Sequence, residues 1–264
     1  MWLKTPRNPK SPLAGLKVLE LARVLAGPWA GQILADLGAD VIKVEGPEGD
    51  GTRQWGPPWV EHGGERAAAY YHSTNRGKRG IVADFRNPDD LARVTALAAG
   101  ADVVIENFKT GALAKFALDY ANWSKAEPRL VYCSITGFGQ TGPGRDKTAY
   151  DLVVQGMSGL MSITGDAAGP PTKMGVPIAD ITAGMFAAFA VVNGLYRRER
   201  TGEGQRIDTS MLGSEVALLT YHAGAYFATG VAPQREGNRH AIITPYSTYP
   251  TADGYVNVAV GNDS

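Results

Sequence analysis

The sequence predicts an α/β protein: a doubly wound, mostly parallel sheet, then the start of a second, smaller domain. Three observations predict it. Short apolar runs alternate with helix-length segments through residues 18–135. A complete strand–helix–strand unit fits within residues 18–44, the spacing of a right-handed crossover between parallel strands. Beyond residue 150 helices dominate, and the chain closes on a hairpin pattern.

Residues 18–21 read as the first strand and Arg23–Gly27 as its loop. Pro28 suits the first position of a helix running to Leu37, with Gly38 as its stop, and residues 41–44 form the next strand. Residues 46–79 show no period and read as a long functional excursion. A strand resumes over residues 80–85. Asn87 then caps a helix with Pro88 at its first position, which stops at Gly100. Residues 102–105 and 130–135 are buried-type strands, with Thr110 capping a short helix between them. Helices are expected over residues 151–160, 180–198 and 212–229, and a strand over 206–209. Residues 246–250 and 255–260 flank an Asp253-Gly254 turn, so the large domain spans residues 1–229 and the small one begins at 230.

At 264 residues and 44% hydrophobic, the chain can bury a large core. Lys+Arg and Asp+Glu are equal at 26 each, and the lack of a basic excess argues against a nucleic-acid partner. The single Cys133 excludes an internal disulfide and a Cys-based zinc site; in its apolar run it reads as a small buried hydrophobe. His62, His72, His222 and His240 form no close ligand pair, so no metal is implied. Lys4, Arg7 and Lys10 precede no apolar core, and Pro6, Pro9 and Pro12 would break a presequence helix. The apolar run 183–196 is shorter than the roughly 20 residues of a membrane span. A cytoplasmic protein without a membrane partner is expected.

Four constellations bear on chemistry. Gly137-Phe138-Gly139-Gln140-Thr141-Gly142 has dinucleotide-loop spacing after a strand, but Pro143 and Gly144 stand where the phosphate-binding helix should open, which disfavours an NAD-dependent oxidoreductase. Asn75-Arg76-Gly77-Lys78-Arg79 and Arg86 put four cations near one acid, Asp84; they suit a phosphorylated ligand or a plain solvated loop. Glu106-Asn107-Phe108 sits at a strand's C-terminal end, where ligands collect in open α/β sheets, though Asn107 also suits a simple turn. Asp180 opens an apolar helix among small residues (Ala179, Ala183, Gly184, Ala187, Ala188). There the helix dipole favours an ionised, nucleophilic carboxylate, and plain capping is the alternative.

Val24-Leu-Ala-Gly-Pro28, Leu37-Gly-Ala-Asp-Val-Ile-Lys-Val-Glu45, the 75–79 segment, Asp102-Val-Val-Ile-Glu-Asn-Phe108, Ser134-Ile-Thr-Gly-Phe-Gly-Gln-Thr-Gly-Pro143 and Tyr150-Asp151 occur in one order. Together they resemble the class III CoA-transferases, the formyl-CoA and carnitine CoA-transferase group, from about residue 14 onward. The resemblance implies a Rossmann-like large domain in an interlinked homodimer. It implies Asp180 as the nucleophile that carries CoA between carboxylic acids through an anhydride and an aspartyl-CoA thioester. No cofactor is tightly bound; coenzyme A is a substrate. CoA-binding positions carry over onto Leu25, Ala26, Ala83, Asp84, Phe85, Arg86, Asn107, Phe108, Lys109 and Lys115, and Tyr150 and Asp151 match the thioester end. Lys115 replaces an arginine, Leu25 a glutamine, Gly46 an arginine and Thr148 a lysine, so four contacts differ.

The nearest rival, an acyl-CoA racemase of the same fold, resembles this family but needs a His where Tyr150 stands. A catalytically silent acyl-CoA-binding fragment is the other alternative, because family members are near 400 residues and this chain is expected to be truncated after residue 260. The wording around Trp55-Gly-Pro-Pro58, Tyr132–Gly137 and Ser158–Met161 is most similar to succinyl-CoA-dependent dicarboxylate transferases.

Overall fold

The computed structural model describes Trp2 and residues 8–262; Lys4, Pro6 and Arg7, used in the readings above, lie outside the described residues. β1 (Lys17–Glu20), α1 (Ala26–Asp36) and β2 (Asp40–Glu45) form the first crossover. Pro28 is the third helical residue rather than the first, because the helix already opens at Ala26. It is tolerated there because the first four helical N–H groups have no intrahelical partner.

The aperiodic stretch holds a 3₁₀ turn (Gly51–Gln54), a hairpin of β3 (Trp59–His62) with β4 (Glu65–Ala68), and the short helix α2 (Ala69–Ser73). β5 (Arg79–Val82) leads to α3 (Pro88–Ala99), where the Asn87 side-chain oxygen accepts the Asp89 N–H at 2.9 Å. After β6 (Val103–Glu106), Thr110 caps nothing: the next 3₁₀ turn begins at Ala114, with Leu113 before it. Then follow α4 (Tyr120–Ala126), β7 (Val131–Thr136), α5 (Asp151–Ser158), α6 (Leu160–Ile163), α7 (Ile178–Thr201) and β8 (Gln205–Ser210). The single helix expected over 212–229 is two, α8 (Met211–Leu218) and α9 (Thr220–Thr229), because Thr220 adopts a φ of 39° that an unbroken helix cannot contain. β9 (Tyr246–Pro250) and β10 (Tyr255–Ala259) pair antiparallel as a separate sheet.

The six-stranded sheet has the order β5-β2-β1-β6-β7-β8, and every neighbouring pair is parallel. The chain direction across the sheet reverses between β1 and β6, so a crevice opens beyond their C-terminal ends. On one face α1 and α7 cover Val18, Val103, Ile105, Val131 and Cys133. On the other, α3 and α4 cover Leu19, Ile42, Val104 and Tyr132. Both faces of these strands are thus buried, as a parallel sheet requires.

α7 is the central strut of the first face. Its 24 residues pass a length-and-composition test for a membrane span that the shorter run 183–196 does not suggest, yet half of its most apolar window is buried inside the protein. At its N-terminal end lies Asp180; near its C-terminal end the buried Arg198 pairs with Asp102 at 3.0 Å, just before β6. Gly184 lets α1 come close: a Cβ there would stand 2.6 Å from the Ala26 carbonyl oxygen.

Candidate active site

The loop after β1 meets the loop after β6 at the crevice. Asn107 joins them: its side-chain oxygen accepts the Arg23 N–H at 2.8 Å and its amide donates to the Arg23 carbonyl at 2.7 Å. Both halves of that amide are engaged, so Asn107 shapes the crevice rather than presenting a free side chain to it. Beside it opens a cleft of about 460 Å³ that holds Asp180.

Asp180 is the third residue of α7 and half-buried. The backbone N–H of Ala26, the first residue of α1, is close enough to its carboxylate to favour the ionised form. Asp151, the first residue of α5, accepts the Ala179 N–H at 2.9 Å. Three helix N-termini therefore converge on two carboxylates. Burial, then the charge of Asp151, push the Asp180 carboxyl up to about 7, while the Ala26 N–H works against them. Where the sequence reading has the helix dipole favouring an ionised Asp180, desolvation and a like charge act against it. Tyr70 of α2 also faces this centre; burial and the charges of Asp180, Asp151 and Asp50 raise its hydroxyl to about 12.

Of the sequence-predicted positions, the cleft gathers Ala26, Asn107, Phe108, Lys109, Tyr150 and Asp180. Leu25 is buried just before α1, and Asp151 is not among the cleft residues but holds α7 through Ala179. Ala83, Asp84, Phe85, Arg86 and Lys115 do not line it. Two of them belong to an aromatic cluster beside it: Phe85 packs on Phe108 and Phe116, with ring centroids 6.3 and 5.6 Å apart, and the Lys115 ammonium lies 5.0 Å from the Phe116 ring. Phe108 links the two groups, since the Arg23 guanidinium in the cleft lies over its ring, 4.6 Å from the centroid.

The basic stretch behaves differently from its sequence reading. Arg76 pairs with Asp36 at 2.6 Å, Lys78 with Glu20 at 2.8 Å, Arg79 with Asp40 at 2.5 Å and Arg86 with Asp84 at 2.8 Å. Three of the four thus meet acids from β1, α1 and β2, where the sequence reading had only Asp84. Lys78 is buried, and burial lowers its ammonium to about 8 against the pull of Glu20. The glycine-rich segment after β7 is a turn, and the next helix begins only at Asp151. Sequence reasoning missed Arg23, Trp55, Arg145 and Lys147, which also line the cleft, and Tyr70. Arg23 had a signal, its place just beyond a strand's C-terminal end; Trp55 and Tyr70 fell in the aperiodic stretch.

A parallel sheet with a cationic crevice at its switch point, and a half-buried acid at converging helix N-termini, defines a doubly wound α/β protein. The model of CoA-transferase family III matches residues 13–264, and the chain belongs to that family. It is 56% identical to a succinate–glutarate CoA-transferase of Agrobacterium fabrum over 97% of this chain and 65% of that protein. With mouse succinyl-CoA:glutarate CoA-transferase the identity is 43% over 100% of this chain and 60% of that protein. The chain spans less than two thirds of the length of these curated relatives. A crystal structure of a CaiB/BaiF family protein from Brucella suis superposes with a TM-score of 0.92 at 53% identity, covering 96% of this chain and 67% of that one.

Proposed function

We propose that this chain carries the catalytic aspartate of a CoA-transferase that moves CoA from an acyl-CoA, such as succinyl-CoA, to a dicarboxylic acid. The carrying observation is Asp180: a half-buried carboxylate held by the Ala26 N–H at the end of a cleft that Arg23, Lys109, Arg145 and Lys147 make cationic. An Asp180 carboxylate oxygen attacks the thioester carbonyl carbon; the C–S bond breaks and CoA leaves as thiolate, giving a mixed anhydride. The thiolate then attacks the Asp180 carbonyl, forming the aspartyl-CoA thioester and releasing the donor acid as carboxylate. The acceptor carboxylate attacks that thioester and expels the thiolate, which attacks the acceptor's own carbonyl and frees Asp180. Every step exchanges one carboxyl derivative for another, with no net proton transfer and no ATP.

Arg86, Lys109 and Lys115 are the proposed contacts for CoA's phosphates, with Ala83–Arg86 along the adenosine end. Tyr150 and Asp151 are the residues proposed for the thioester end, and of the two Tyr150 lines the cleft. The dicarboxylate class rests on the relatives' names and on cations remaining in the cleft to meet a second carboxylate. We read the assembly as a homodimer, supported by exposed apolar side chains such as Phe189 and Phe227, and residues 230–264 as the start of a small domain. Racemisation is disfavoured because Tyr150 offers no imidazole beside Asp151.

The test is trapping. Incubation with succinyl-CoA and then hydroxylamine should convert Asp180 to a hydroxamate, read by peptide mass spectrometry. Asp180→Asn should abolish transfer while still binding CoA. Full turnover by that variant would overturn the assignment.

A further inference from the structure

The loop that aims the Ala26 N–H at Asp180 contains an unfavourable conformation. Val24 has a φ of 68°, in the left-handed region that a β-branched residue avoids. Something must hold it there. Its N–H donates to the Asp50 carboxylate at 3.1 Å. Asp50 is buried, accepts the Thr52 N–H at 3.0 Å and the Thr52 hydroxyl at 2.8 Å, and pairs with Lys43 at 3.0 Å. The Lys43 ammonium in turn donates to the Ala22 carbonyl at 2.8 Å and pairs with Glu20 at 3.1 Å. One ion pair therefore grips both ends of the tripeptide 22–24, the base through a carbonyl and the acid through an N–H. Two residues later comes Ala26.

The geometry points to the Lys43–Asp50 pair as the positioning element of the reaction: it fixes the left-handed turn at Val24 that directs the Ala26 N–H onto the Asp180 carboxylate. This rests on reading Asp180 as the nucleophile. A buried ion pair is weak evidence of a stabilising role by itself, because desolvation offsets much of its attraction. Here each partner also holds the backbone of one short loop, Lys43 at Ala22 and Asp50 at Val24. Burial would raise Asp50, but the Lys43 charge and the Thr52 donors hold it below its ordinary value, so the grip is that of an anion. The charged and titratable groups facing Asp180 are Asp151 from α5, Tyr70 from α2 and the cleft cations Arg23, Lys109, Arg145 and Lys147. Among the described residues, the acceptor of the Val24 N–H is Asp50.

The experiment compares four variants of the protein at its full natural length: Asp50→Ala, Asp50→Ala with Val24→Gly, and the uncharged pairs Lys43→Met/Asp50→Asn and Lys43→Met/Asp50→Val. It reads kcat and KM for acyl-CoA, and the titration of the Asp180 carboxyl by ¹³C NMR of labelled aspartate. Asp50→Ala should lower kcat about tenfold to a hundredfold, the scale of a small misplacement at a reacting group, with KM nearly unchanged. Its Asp180 carboxyl should titrate higher, because the anion has lost a donor. Glycine adopts a positive φ without strain, so Val24→Gly should restore part of both readings. Should Asp50→Ala fail to fold, the uncharged pairs decide: the asparagine keeps an oxygen for the Val24 N–H and should retain more kcat than the valine. Wild-type kcat and titration in folded Asp50→Ala, or a loss of kcat with no change at Asp180 and no rescue by glycine, would overturn the proposal. If Asp180→Asn kept full turnover, the nucleophile reading would fall, while the effect of Asp50 on the Asp180 titration would still be seen.

Discussion

The Asp151 carboxylate accepts the Ala179 N–H at 2.9 Å, so one acid holds the helical turn that carries the other, Asp180. The pair is electrostatically opposed and structurally dependent at once. Asp151→Asn separates the two roles, because an amide oxygen still accepts that N–H while the charge is gone. Asp180 should then titrate lower, and the rising limb of the kcat/KM profile should move down by about one pH unit. A pH–rate series on both proteins checks it.

Stability should carry the same signature. The folded protein holds the Asp180 proton up to about pH 7, whereas an unfolded chain releases it near the ordinary 3.8. The folded state thus binds more protons between those values, and stability falls as pH rises through the window. Asp180→Asn removes that loss. Urea unfolding should show the variant more stable than the parent by about 1–3 kcal/mol above neutrality, with the difference vanishing near pH 4.

Gly184 sets the spacing of α1 and α7. A Cβ there would stand 2.6 Å from the Ala26 carbonyl oxygen and 2.9 Å from the Trp29 ring, and backbone cannot yield as a flexible side chain can. Gly184→Ala should cost about 1–3 kcal/mol by overpacking and lower kcat by moving Ala26 away from Asp180. Thermal unfolding and steady-state rates together test this.

Cations at the crevice should differ sharply by location. Lys109 lines the cleft, so Lys109→Ala should weaken CoA binding by about 1.5–3 kcal/mol, the scale of a charge-assisted hydrogen bond. Arg76 is spent on Asp36 at the exposed surface, and Arg76→Ala should change binding by less than about 1 kcal/mol. Calorimetric titration with CoA compares them.

What was legible in the sequence was local. Asn87, Pro88 and Gly100 mark their helix because capping and φ preferences act within a few residues. The order of β1, α1 and β2 follows from apolar period and loop length. The place of Asp180 in the first turn of an apolar helix was legible, but its raised titration was not, since burial and the charge of Asp151 on another helix come from the tertiary fold. The same limit hid the partners of Arg76, Lys78 and Arg79: Asp36, Glu20 and Asp40 are brought beside them only by sheet order. Asp50 sat in a stretch too short-stepped for periodicity to resolve, and nothing local betrays that its carboxylate serves Val24.

The Arg198–Asp102 ion pair lies eighteen residues from Asp180 on the same helix, about 27 Å along its axis. A rigid rod anchored at its far end cannot slide, and a slip of one residue would carry the carboxylate about 1.5 Å along the axis while turning it by roughly 100°. The position of the proposed nucleophilic oxygen is therefore set partly at the opposite rim of the sheet. Variants that lose activity there, without touching any ligand, belong to the same machine.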